Sequence, residues 1–281
     1  MNWIRIAVVG GVNLDVLGRP SGDYQPKDSL IGNVRFSSGG VGHNIAAQAV
    51  RTGADVTLFT VFSNDRNGEW LRQSCHEEGI RIDRARVLHG PCPVYMAIHG
   101  PDGDMISAVN DMSLMDQLSP ALLQPELPNI HHADVCVLDA NLSPESLEFL
   151  TSHVTIPLVC DPVSTEKAKR VWSLLPHLTA MKPNLLEARS MTGCDSPRNC
   201  AEKMISLGLK MAFISLGKDG LYYADSQSAG MIRPEKVSET LQTGAGDAVT
   251  AGIAIGVARN LPVSECALLG MKTAQKYLGC P

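Results

Sequence analysis

Short apolar runs that stop on glycine, aspartate or asparagine recur down this chain, and a helix-patterned segment follows most of them. Ile4 to Gly11 reads IRIAVVGG, and Asp55 to Val61, Val135 to Leu138, Pro157 to Cys160 and Met211 to Ser215 are built the same way. Runs this short, apolar at consecutive rather than alternate positions, mark strands buried on both faces. The segments between them carry helix signals: Ser143 precedes Pro144 as an N-cap, and Gly79 and Gly208 close the runs that begin at Trp70 and Cys200. Strand and helix in this rhythm specify an α/β fold with a central, mostly parallel sheet and helices on both faces. Ligands of such sheets collect beyond the C-terminal strand ends, where this chain keeps its polar residues.

One stretch breaks the rhythm. Val94–His99 and Asp104–Val109 flank Gly100-Pro101-Asp102-Gly103, a hairpin with a Pro-Asp-Gly turn. It reads either as an edge hairpin of the main sheet or as part of a small added sheet, a lid. Residues 19–36 are polar and rich in Pro and Gly, with strand pieces around Ser29–Phe36. With no repeat or long linker, the expectation is one domain over 1–281 with lid segments at roughly 16–36 and 92–112.

Composition removes several function classes. At 281 residues and 44% apolar, the chain can bury a full core. A net charge of −5 leaves no electrostatic footprint for nucleic acid. Eight scattered cysteines without a C-x-x-C pair read as reduced core thiols, and so as a cytoplasmic protein. The sequence shows no leader pattern and no run of about 18 apolar residues, so no membrane partner is expected. His131-His132 occurs without H-E-x-x-H, which argues against a His-based metal centre.

Five polar constellations remain. Thr243-Gly244-Ala245-Gly246-Asp247 precedes an apolar helical run, the arrangement in which N–H groups at a helix start gather an anion and a carboxylate stands beside it as a candidate base. Taken alone it is equally a Gly-rich turn with Asp247 as a cap. Asn13 and Asp15 follow the first strand two residues apart, on one side, as ligands or as an Asx-turn. Gly39-Gly40-Val41-Gly42-His43-Asn44 turns into a helix whose spare N–H groups and amide suit hydroxyl recognition. Asn184 and Glu187 share one helix face and could hold a hydrated magnesium ion or merely start a surface helix. Ser215-Leu216-Gly217-Lys218-Asp219-Gly220 is another Gly-bearing turn after a strand. Asp161 is either a strand-end turn or a functional group, and Lys182 and Lys218 read as solvated charges or, alternatively, as phosphate contacts. Neither a Walker A motif nor a Rossmann fingerprint after the first strand is present.

These motifs, G-G-V-N-L-D at 10–15, G-G-V-G-H-N at 39–44, N-L-L-E at 184–187, S-L-G-K-D-G at 215–220 and T-G-A-G-D at 243–247, resemble in order and spacing the ribokinase-like (PfkB) carbohydrate kinase family. The resemblance covers nearly the whole chain. Val109-Asn110-Asp111-Met112, Asp139-Ala140-Asn141-Leu142-Ser143, Asp161-Pro162-Val163-Ser164 and Lys182-Pro183-Asn184 carry it toward the pseudouridine-kinase branch. It implies a three-layer fold with a small β lid, ATP and Mg2+ as cofactors, and transfer of phosphate to the 5′-hydroxyl of a nucleoside or sugar. In that frame Asp247 is the base, and Gly244, Ala245 and Gly246 form the anion hole. Asn13, Asp15, Gly39, Gly40 and Asn44 bind the sugar, with Asn110, Asp111 and Asn141 toward the lid side or the base. Asn184, Ser215, Gly217, Gly220 and Thr243 line ATP, and Glu187 with Asn184 serves the metal. A homodimer through the lid is a further expectation.

Two departures bear on that expectation. Glu239-Thr240-Leu241-Gln242-Thr243 stands where relatives carry an Asp or Asn, which leaves a monovalent cation such as K+ open. The chain stops at Pro281, one or two elements after the helix that follows Asp247, where relatives complete the adenine pocket. The rival expectation is therefore a non-catalytic sugar- or nucleoside-binding relative, and within the kinases a different acceptor such as ribose or adenosine.

Overall fold

A computed structural model describes residues 3–100, 104–234 and 244–279. β1 (Arg5–Val9), β2 (Asn13–Pro20) and β3 (Gly32–Gly39) precede α1 (Val41–Arg51). β4 (Asp55–Phe59) and β5 (Val61–Ser63) lead to α2 (Arg66–Glu77), β6 (Arg86–Leu88), β7 (Val94–His99) and β8 (Met105–Asp111). Short helices α3 (Pro120–Leu123) and α4 (Leu127–His131) connect to β9 (Val135–Asp139), α5 (Pro144–His153), β10 (Leu158–Asp161), α6 (Thr165–Ala168) and β11 (Ala180–Met181). α7 (Leu185–Thr192), α8 (Pro197–Ser206), β12 (Met211–Ser215), β13 (Leu221–Ala224) and β14 (Ala229–Ile232) follow. α9 (Ala245–Ala258) and α10 (Val263–Tyr277) complete the described chain.

The main sheet has eight strands in the order β14-β13-β12-β11-β10-β9-β1-β4. From β4 to β12 every pairing is parallel; β12, β13 and β14 are antiparallel neighbours at one edge. Consecutive apolar residues are explained by what lies on each side. Ile6, Val8, Val135, Val137 and Val159 enter one core with Ile45 of α1, Ala254 of α9 and Met271 of α10. Ala7, Val9, Cys136, Leu138 and Cys160 enter the other with Leu147 and Leu150 of α5 and Met204 of α8. The pleat sends alternate side chains to opposite faces, so a strand sandwiched between helices must be apolar throughout. α9 is apolar all round for the same reason: residues 248–257 are buried between α1, α10 and the sheet.

The hairpin of the 94–109 region is not an edge of the main sheet. β3-β2-β7-β8 form a separate four-stranded sheet, with β2 and β7 parallel and the outer pairs antiparallel. The turn residues 101–103 lie outside the described residues. The predicted strand Asp55–Val61 divides at Thr60, and β5 leaves to pair with β6. The helix expected from Trp70 begins earlier, at Arg66, because the Asp65 carboxylate accepts the Gly68 N–H and caps it.

Candidate active site

The C-terminal ends of β1 and β9 meet at one buried carboxylate. Asp139 Oδ2 accepts the Gly11 N–H at 2.8 Å and the Gly42 N–H at 2.7 Å, and Oδ1 accepts the Asn141 N–H at 2.9 Å. Burial pushes the Asp139 carboxyl up, against the lowering effect of the Gly11 and Asn141 bonds. This one side chain thus fixes the exit of β1, the start of α1 and the turn after β9. Three of the N–H groups at the start of α1 are taken: Gly42 serves Asp139, His43 donates to Gly11 O at 3.1 Å, and Asn44 donates to Gly40 O at 2.8 Å. Gly40 is held at φ 99°, and a Cβ there would lie 2.9 Å from Val12 Cα, so only glycine fits.

Asn13 and Asp15 open β2, not the turn before it. Asn13 Nδ2 donates to Asp15 Oδ1 at 2.6 Å. Burial raises the Asp15 carboxyl, opposed by Asn13 and by His43. Gly39 lies directly against that carboxylate, opposite Asn13 in the β2–β3 register. In the second sheet Ser37, Asp15, Tyr95 and Asn110 form one row across four strands and share a face. Asp111 is on the other face, where its Oδ1 accepts the Ser113 N–H at 3.0 Å. Asn141 follows the C-terminal end of β9 in the main sheet, and its Oδ1 accepts from Lys167 Nζ at 2.6 Å.

Asn44 links this region to α9, 203 residues away: its Nδ2 donates to Asp247 Oδ2 at 2.8 Å. Gly244 is the N-cap of α9, so Ala245, Gly246 and Asp247 begin the helix with N–H groups that have no partner within it. Beneath them lies a buried cluster. Asp161 and Lys182, 3% and 5% exposed, pair with Nζ 3.1 Å from Oδ2, and Thr250 Oγ1 donates to the same oxygen at 2.8 Å. Lys182 is thus an interior charge, not a solvated one, and Asp161 is more than a turn residue. Burial and the neighbouring Asp161 push the Asp247 carboxyl up to about 7, against the lowering influence of Lys182 and of the Asn44 hydrogen bond. A carboxylate with that proton affinity suits a general base at neutral pH.

Asn184 and Glu187 form a capping box at the start of α7. Asn184 Oδ1 accepts the Glu187 N–H and Glu187 Oε2 accepts the Asn184 N–H, both at 2.8 Å. Glu187 is buried, and its carboxyl is raised by that burial and by Asp161. Asn184 bridges to Ser215 at the end of β12, which brings the expected nucleotide turns side by side. Gly217 and Gly220 lie in the tight turn that follows Ser215. Thr243 and the 239–243 segment fall outside the described residues. Among the described residues no group of three or more His, Cys, Asp or Glu side chains is placed to hold a metal by itself.

The pfkB family carbohydrate kinase profile matches residues 4–281. This chain belongs to that family. The pseudouridine kinase of Escherichia coli is 30% identical over 98% of this kinase and 90% of its own length. The ribokinase of Bacillus subtilis is 26% identical over 94% and 89%. The structure of Arabidopsis thaliana ribokinase complexed with ribose and ATP superposes with a TM-score of 0.84 over 97% of this kinase and 92% of that chain, at 18% identity, a likeness of fold. The protein is a sugar or nucleoside kinase with the ribokinase-like α/β fold. Three features of the region were not assigned a role from the sequence: Asp139, though it stands in a quoted motif, Thr250 and the interior position of Lys182. Asp139 had a signal, a lone carboxylate ending an apolar run; Thr250, inside an apolar helix, had only its polarity.

Proposed function

We propose that this kinase transfers the γ-phosphoryl group of ATP to the 5′-hydroxyl of a nucleoside, with pseudouridine as the preferred acceptor. The observation that carries the reading is the Asn44–Asp247 hydrogen bond. It seats a carboxylate of raised proton affinity between the Gly39–Asn44 turn and the N-terminal N–H groups of α9. There Asp247 takes the hydroxyl proton as the acceptor oxygen bonds to phosphorus, the bond to the bridging oxygen breaks, and ADP leaves with the electron pair. The helix start supplies donors where charge develops on the phosphoryl oxygens. Asn13, Asp15, Gly39 and Gly40 would position the sugar, and Asn110 and Asn141 would border the base.

The residues present fit ATP with Mg2+. Glu187 spends one carboxylate oxygen on its cap, leaving the other for a hydrated magnesium ion of the kind that relies on phosphate oxygens and water more than on protein. That ion would neutralise phosphate charge. The E. coli relative named a pseudouridine kinase favours this acceptor; the similarity to a ribokinase makes ribose the second reading. Free thiols at all seven described cysteines support a cytoplasmic location, and among the described residues no helix is long and apolar enough to cross a membrane. Phe36, Met96 and Val109, 63%, 51% and 64% exposed, share the face of the second sheet opposite Asp15, a surface that a second copy would cover.

The test is purified protein with ATP, magnesium and a panel of pseudouridine, uridine, adenosine and ribose. Highest kcat/KM on pseudouridine is the expected result. Transfer to ribose alone replaces the acceptor, and calorimetric nucleoside binding with no transfer to any of the four makes the protein a binder.

A further inference from the structure

His43 is 3% exposed at the start of α1, one residue before the asparagine that reaches Asp247. Oxygen atoms stand at both nitrogens of its ring. Asn44 spends Nδ2 on Asp247 Oδ2 at 2.8 Å, so the amide end that faces the ring, 3.2 Å from His43 Nδ1, is Oδ1. An amide oxygen accepts and does not donate, so Nδ1 is the donor in that contact. On the far side Nε2 lies 3.5 Å from Oε1 of Glu78, the C-cap of α2. Glu78 is tied down in turn. Ser38 Oγ of β3 donates to Oε1 at 3.4 Å, Ser74 Oγ of α2 donates to Ser38 Oγ at 2.9 Å, and Arg51 Nη2 stands 3.7 Å from Oε2. The neighbouring His43 holds the Glu78 carboxyl below its usual range, with help from Arg51, against the raising effect of burial. Asp15 of β2 and Tyr277 of α10 are further titratable neighbours of the ring. A file of side chains thus runs from α2 through the imidazole and the Asn44 amide to the carboxyl of α9.

We infer that His43 is a positioning residue for the base: its Nδ1–H holds Asn44 Oδ1 and so keeps Asn44 Nδ2 on Asp247 throughout the reaction, while Glu78 holds the ring. The inference rests on Asp247 being the base of the proposed phosphoryl transfer. The two ends of an amide are nearly the same size, so packing does not decide which one meets the carboxyl. An ionised Asp247 selects Nδ2 unaided, because a carboxylate accepts and does not donate. Once Asp247 has taken the acceptor's proton it can donate as well, and that selection is lost. The donor on His43 keeps Oδ1 turned away at this stage, so Nδ2 is in place when the proton leaves Asp247 for water. Without His43 the amide turns over for part of the time, and Asp247 then lacks a hydrogen bond that lowers its proton affinity. Asp247 also feels Asp161 of β10, Lys182 after β11, Asp139 of β9 and Tyr277 of α10, and none of these contacts runs through His43.

The experiment compares wild type, His43→Phe, His43→Gln and His43→Asn, each also combined with Asn44→Ala. Phenylalanine keeps a flat ring and has no donor. Glutamine carries its nitrogen at the Nε2 position, away from Asn44, and serves if His43→Phe does not fold. Asparagine carries its nitrogen at the Nδ1 position, toward Asn44. Carbon NMR of protein labelled at the aspartate carboxyls, with Asp247→Asn to assign the signal, reads the Asp247 titration without turnover. His43→Phe and His43→Gln are expected to move that titration up by about half a pH unit. The acid limb of kcat/KM should move with it, and kcat should fall about 3- to 10-fold, the size of one lost hydrogen bond. His43→Asn is expected to bring the titration and kcat most of the way back. With Asn44→Ala in place, the His43 variants are expected to add nothing. A wild-type titration in both His43→Phe and His43→Gln, a shift that His43→Asn fails to reverse, or a shift of full size in the Asn44→Ala background overturns the inference. A wild type that phosphorylates none of the acceptors sinks the proposed reaction instead, and the NMR titration still decides the role of His43.

Discussion

The floor of the site and the sheet beside it are built on opposite principles. On the floor, Asp139, Asp161, Lys182 and Thr250 are buried, and each polar contact runs to another fixed group of the main sheet or its helices. In the second sheet, β8 is exposed along most of its length and β3 along nearly all of it. The two regimes meet on one strand: β2 begins buried at Asn13 and Leu14 and ends exposed at Arg19. The contrast separates two tasks. Chemistry that depends on shifted proton affinities needs a dry, over-determined setting. Choice among acceptors can rest on a sheet whose outer strands carry few packing constraints.

If the division holds, variants of the two regions differ in kind. Asp247→Asn removes the base and is expected to cut kcat by about 10³-fold, with the acceptor KM within about threefold; steady-state kinetics on the preferred acceptor checks it. A loss in KM alone would move Asp247 out of the base role. Asp139→Ala orphans three N–H donors and is expected to cost about 3 kcal/mol of stability in urea unfolding. The pH dependence comes next. Because the Asp247 carboxyl is raised to about 7, it is protonated and idle as a base below that pH. Thus kcat/KM should rise about tenfold per unit up to pH 7 and level off above. The same raised value means that the group's contribution to folding is present below its unfolded value and is lost as pH rises through about 7. Asp247→Asn should therefore gain melting temperature relative to wild type at pH 8 and not at pH 3. In the second sheet, Asn110→Ala is expected to shift the acceptor KM by about 3- to 10-fold with kcat within about twofold, an effect the size of one lost hydrogen bond. The smallest effect belongs to Phe36→Ser, within about 0.5 kcal/mol of wild-type stability, while sedimentation shows whether the molecule loses a second copy.

The sequence made the main sheet legible because a strand packed on both faces has no room for polar residues, and because helix starts such as Ser143 act locally. The second sheet was legible only as a hairpin. Its order depends on β2 pairing with β7, some 80 residues on, which no local pattern encodes. Within the site, motif spacing located Asp247 and Asn44 but not the bond that joins them. Lys182 shows the limit most clearly. A lysine after Met181 in a short strand reads as solvated until the burial of its neighbours is known, and its closeness to Gly246 is a property of two segments 64 residues apart. The capping box of Asn184 and Glu187 shows the converse, a helix start that two residues three apart encode locally.

The triple grip of Asp139 has a consequence for assembly. Gly11, Gly42 and Asn141 come from well-separated stretches, and their common anchor is missing until the β9 segment has docked beside β1. A fragment carrying only the first hundred residues would hold the Gly11 and Gly42 turns and lack the carboxylate that joins them. The pairing of β1 with β9 therefore decides whether two distant turns share one anchor or have none.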